Sequence, residues 1–272
     1  MKIFANFYQQ FDADYTLSVP AEGYTGWVKK EIEINPEKTA LVVMHAWDCG
    51  TRDEYPGWYR FVEYIPRAQE IAREIFPRLL NSVRNSSMKL LHVVGSGDYY
   101  KKYSGYKIAK KFGKKYRNKF TLKKIKKDGL RKRLDDIRGE FTRGGEHNQA
   151  DIRQGFKNLD FMREAKPIGD EPIAKDSAQL FGLCKRYGIN HLIYVGFAIN
   201  WCLLLSPGGM VEMSKHGLLC STIREAVTAV ENKKTAREET CKEIALWRIA
   251  LSFGLVFDLE DFLTSIERTL PE

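Results

Sequence analysis

Residues 176–198 read DSAQLFGLCKRYGINHLIYVGFA. Leu180, Leu183 and Cys184 share one face of a helix, and Gly188 supplies the residue type that closes helices in a left-handed conformation. The apolar run HLIYVGFA, 191–198, then has the length and branching of a buried strand. The same unit recurs on both sides. TALVVMHAW, 39–47, and KLLHVVG, 89–95, are strand-like runs separated by a helical stretch from about Pro66 to Arg84, where Ile71, Ile75, Leu79 and Val83 repeat every fourth position. A helix around Gly209 to His216 precedes GLLCSTI, 217–223, and KEIALWRIALSFG precedes LVFDL, 255–259. Alternation of this kind implies an α/β, Rossmann-like three-layer fold: a mostly parallel sheet with helices on both faces, and sites at the carboxyl ends of its strands.

The chain has 272 residues, 43% apolar and 29% charged, so one domain spanning 1–272 is expected. No run approaches the roughly 20 apolar residues of a membrane span, and the N-terminus lacks the apolar core of a secretory signal. No membrane partner and a cytoplasmic location follow as expectations. Five cysteines without CxxC spacing read as free thiols rather than a disulfide framework or zinc knuckle. The first 20 residues look like an extended arm whose aromatic side chains pack on the body or on another subunit, in a homo-oligomer.

Charge is concentrated in one place. From Lys101 to Arg133 there are 16 Lys or Arg and one acid, Asp128. Taking that +15 from the chain's net +9 leaves about −6 elsewhere. Residues 101–165 break the helix–strand rhythm and are expected to form a basic insertion or lid. Cations interleaved with Tyr103, Tyr106, Phe112, Tyr116 and Phe120 also suit an anionic partner, so nucleic acid binding through 101–133 is an alternative function.

Two strand ends deliver chemistry: His45, Trp47, Asp48 and Cys49 from the first, and Asn200, Trp201 and Cys202 from the third. A cysteine becomes a nucleophile when a cation, a base or a helix N-terminus stabilises its thiolate. Asn200 is a good N-cap that puts Cys202 in a first helical turn, which Pro207 cuts short. A cysteine after an apolar strand is also, on spacing alone, an ordinary buried side chain.

The stretch GINHLIYVGFAINWCLLLSPGGMVEMSKHG, 188–217, resembles the nucleophile region of the isochorismatase-like cysteine hydrolases, the superfamily that includes nicotinamidases. It is similar to a GVHTNMCV-like motif followed by an RPFG-like turn. TALVVMHAWD, EIFPRLL and LLHVVGSGDYY fit the same branch, and the likeness covers most of 23–100 and 166–265. The resemblance implies a Cys, Asp and Lys triad that hydrolyses an amide or related bond of a small-molecule substrate through a Cys202 thiolate.

Under that resemblance the lysine is Lys175, from GDEPIAK, with Lys166 as the alternative. The base position carries His45 instead of the usual aspartate, with Asp48 matching a second acid of the branch. Ile199 stands where a threonine is usual. A cis peptide is implied between Phe197 and Ala198. Trp47, Trp201, Asn200 and Tyr99 are the candidate substrate contacts. No histidine lies near Asp98 in GSGDYYKKY, so no catalytic metal and no cofactor are expected. A member that keeps the fold for binding without turnover is the other reading.

Overall fold

Six apolar or half-apolar runs form the parallel centre of the computed structural model, which describes residues 1–122, 125–142 and 144–269. Lys123 and Lys124 of the basic segment, and Arg143, lie outside the described residues. In chain order the strands are β1 (Lys2–Gln9), β2 (Gly26–Glu33), β3 (Thr39–Met44), β4 (Trp47–Asp48), β5 (Lys89–Val93), β6 (Asp160–Phe161), β7 (Ile173–Ala174), β8 (His191–Gly196), β9 (Leu219–Val227) and β10 (Val256–Phe257). The main sheet runs β2-β1-β10-β9-β8-β3-β5-β7, parallel from β10 through β7. β3 and β8 are buried along their whole length, as central strands covered on both faces must be.

Within the expected arm, Lys2–Gln9 form a strand of the main sheet. β1 pairs antiparallel with β2 in unbroken register from Lys2↔Glu33 to Gln9↔Gly26, and touches β10 at Asn6↔Val256. Ile3 and Ala5 are buried in the body, while Phe4, Phe11 and Tyr15 remain exposed. The stretch expected as one helix from Pro66 to Arg84 divides into Ile65–Glu74 and Phe76–Arg84. Pro77 lacks an N–H and clashes with the preceding turn, which accounts for the break.

Helices Ile65–Glu74, Phe76–Arg84 and Leu259–Glu267 cover one face of the sheet, around Leu41, Val43, Ile193 and Val195. Helices Ser104–Gly113, Ser177–Tyr187, Met210–Lys215 and Thr240–Ser252 cover the other, around Val42, Leu91, Leu192 and Tyr194. Gly188 closes the helix Ser177–Tyr187 with φ +70°.

Residues 101–165 behave in three ways. Helix Ser104–Gly113 lies so close to Ser177–Tyr187 that a Cβ on Gly182 would come within 2.6 Å of the Phe112 carbonyl. Tyr116 and Phe120 continue this contact on Phe181. Helix Gly129–Phe141 then has no buried residue. Helix Gln149–Lys157 is seated on Pro56–Phe61, where Asp151 accepts the Gly57 N–H at 2.6 Å and Phe156 packs on Trp58. Among the described residues no helix is long and apolar enough to cross a membrane.

Candidate active site

At the carboxyl end of β3 the chain leaves the sheet through His45, whose φ of +55° lies in the left-handed region that few side chains adopt. The His45 N–H still donates to Val93 of β5 at 2.9 Å, so the residue is held between two strand ends. Its ring lies flat against the next turn: a Cβ on Gly95 would sit 3.0 Å from both Cε1 and Nε2. Burial pushes the imidazole pKa down to about 4, so the ring is neutral at pH 7. No described residue hydrogen-bonds its side chain.

The end of β8 follows a different course. The peptide bond Phe197–Ala198 is cis. Asn200 does not cap the next helix, because its amide is used elsewhere, donating to the Val230 carbonyl at 2.8 Å and accepting the Val230 N–H at 2.9 Å. Trp201 occupies the cap position, and Cys202 is the first residue of a one-turn helix, Cys202–Leu205, that stops before Pro207. The Cys202 backbone N–H has no acceptor among the described residues, whereas those of Trp201 and Leu203 both donate to the Ala198 carbonyl.

His45, Lys175 and Cys202 line one cleft of about 470 Å³, together with Trp47, Tyr64, Ser96 and Ser206. Lys175 arrives from the short edge strand β7. Its approach is fixed by Glu171, which accepts from Arg84 at 2.6 Å, from the His92 ring at 2.8 Å and from the Ile168 N–H at 3.1 Å. Burial raises the Glu171 pKa, but hydrogen bonds from His92 and Arg84 outweigh it and hold the carboxyl down at about 2. Among the described residues lining the cleft, Lys175 is the one lysine or arginine and no carboxylate is present.

The other residues singled out in the sequence stand elsewhere. Asp48 turns into its own loop, accepting the N–H groups of Cys49 and Gly50 at 2.8 and 3.2 Å, and shares only a small adjoining cavity with His45. Trp201 is exposed and faces the helix Gly129–Phe141 across a separate opening. Tyr99 packs on Phe161 and Tyr100. Lys166 pairs loosely with Asp160 at 3.8 Å.

Sequence reading misses Tyr64, Trp58, Phe156 and Leu159, which also line the cleft. Tyr64 lies near enough to Cys202 that, after burial, a charge on that sulfur is what raises its hydroxyl pKa. No spacing pattern marks these four, since Tyr64 precedes a helix and two of them come from the insertion. Among the described residues no three His, Cys, Asp or Glu side chains come together as a metal site.

No family model matches the chain, and no curated protein matches it. Solved structures of similar fold include a cysteine hydrolase from Pseudomonas syringae pv. phaseolicola 1448A, at 12% identity over 87% of this chain and 95% of that one, with a TM-score of 0.49. An isochorismatase-like hydrolase from Alkaliphilus metalliredigens is similar at 14% identity over 84% and 98%, TM-score 0.48. N-carbamoylsarcosine amidase from Thermoplasma acidophilum is similar at 12% identity over 82% and 97%, TM-score 0.41.

Proposed function

We propose that the chain is a thiol-dependent hydrolase that cleaves a carbon–nitrogen or related bond of a small, planar metabolite. The observation that carries this reading is that Cys202, His45 and Lys175, which follow β8, β3 and β7, line one cleft. Cys202 Sγ attacks the substrate carbonyl while its proton passes to the His45 imidazole, which returns it to the departing amine. The developing oxyanion takes the free Cys202 N–H, and water then hydrolyses the thioester with the same imidazole as base. Lys175 favours the anionic sulfur. Because burial disfavours an imidazolium, proton transfer accompanies attack rather than preceding it in the resting protein. Asp48, already committed to two backbone N–H groups, is not needed as base.

A second reading, a binding cleft without turnover, draws on the lack of a carboxylate among its described lining residues. The two separate on a panel of aromatic and aliphatic amides and imidates, followed by product release and by equilibrium binding. Hydrolysis by the unmodified chain, abolished in Cys202→Ala with an unchanged melting temperature, is the expected result. Binding of panel compounds with no hydrolysis under any condition gives the second reading instead.

A further inference from the structure

Helix Gly129–Phe141 is built inside out. At about 100° per residue, Leu130, Leu134, Ile137 and Phe141 fall within an arc of about 60°, an unbroken apolar stripe. In a globular protein that stripe faces the core. Here Asp136 and Gly139, on the far side of the helix from the stripe, line the opening towards Phe61, Phe156 and Trp201. The stripe points outward instead: Leu130 and Phe141 are each 74% exposed and Ile137 55%. Leu122 and Ile125, just before the helix, are 80% and 96% exposed.

The surroundings of the stripe are cationic. Arg133 borders it on one side, with Arg131 and Arg138 on the other. Elsewhere in the same basic segment, the seven Lys and Arg side chains between Lys107 and Lys119 have no acidic partner among the described residues. An apolar stripe flanked by cations is the pattern of a helix lying in a lipid–water interface, with long cationic side chains reaching the headgroups. We propose that helix Gly129–Phe141 docks on an anionic lipid surface, with the apolar stripe entering the headgroup–acyl boundary and the flanking cations meeting acidic headgroups. The inference is independent of the chemistry at Cys202.

Other occupants fit less well. A second copy would bring two strongly positive segments together. Nucleic acid has no use for an aliphatic stripe, and Phe112, Tyr116 and Phe120 are turned inward on the body rather than presented for base stacking. A helix lying in the interface needs no apolar span long enough to cross a bilayer.

The test is flotation of the full chain with vesicles of pure phosphatidylcholine or of phosphatidylcholine with phosphatidylserine. Binding to the anionic vesicles alone, weakened by salt, is expected. The double variant Leu130→Glu, Ile137→Glu should lower partitioning at least about a hundredfold, since two inserted side chains are lost. Its thermal melt should match that of the parent, because both side chains face solvent. Arg131→Gln with Arg133→Gln gives an independent loss of roughly tenfold or more. The proposal is overturned if the parent chain fails to float with anionic vesicles at low salt, or if the stripe variant binds as well as the parent. It is equally overturned if the parent is a dimer that the stripe variant dissociates.

Discussion

Replacing His45 with asparagine tests whether the imidazole is held neutral by its surroundings. Asparagine is among the residues that tolerate a positive φ, so the +55° backbone at this position survives the change. In the native protein burial lowers the imidazole pKa from 6.5 to about 4. The unfolded chain therefore binds a proton near pH 6.5 that the folded chain refuses until about pH 4. Stability from this residue is fully present above pH 6.5 and falls as the pH drops through that window. At 1.36 kcal/mol per unit, with half-protonation at the lower end, the loss by pH 4 is about 3 kcal/mol. His191, which burial also lowers to about 4, is present in both proteins and drops out of their difference. Urea unfolding at a series of pH values from 7 to 4 measures that difference directly. The parent should lose about 3 kcal/mol more than His45→Asn over this range. A gap that stays within about 1 kcal/mol would mean that His45 charges freely, and proton transfer coupled to thiol attack would no longer be required.

Two further measurements address the thiols and the edge of the site. Limiting iodoacetamide at neutral pH should modify Cys202 before Cys49, Cys184 and Cys220, whose thiols burial pushes up to about 12; mass spectrometry showing any of these three labelled first removes Cys202 as the accessible nucleophile. Glu171→Gln should destabilise the chain at pH 7 by about 2–3 kcal/mol, because hydrogen bonds from His92 and Arg84 lower that carboxyl from 4.5 to about 2. That stability is present above about pH 4.5 and is lost as pH falls through 2, so equal unfolding of the two proteins at neutral pH counts against the network.

The central parallel strands are legible in the sequence because a strand buried on both faces is a short apolar run, as in Leu41, Val42 and Val43 or Leu192, Ile193 and Tyr194. The hairpin of β1 and β2 is not. Its outer strand, GWVKKEIE, is mostly exposed, and the charges that keep an edge strand solvated also erase its pattern. The strand β7 is two residues long, below what any periodicity can reveal. At the site, Cys202 and His45 stand out from their places at strand ends, and Lys175 only through the resemblance of GDEPIAK. Asp48 is diverted by two N–H groups immediately after it, and Asn200 by Val230, thirty residues away. Nothing in a linear reading reveals such competition. The apolar stripe of Gly129–Phe141 is visible at its spacing but masked by the charge around it.

The two-residue pairing of β4 with β6 joins Trp47 to Phe161 and Asp48 to Asp160. It fastens the far end of the charged excursion beside the turn that carries His45, while Val93 fixes that turn from the other side. Closing a flexible loop costs only about 0.6 kcal/mol more for each doubling of its length. With both ends clamped in this way, the outer part of the excursion is thermodynamically cheap to lengthen, shorten or recode. Changes in the outer part of the excursion can therefore accumulate while the cleft at the strand ends keeps its walls.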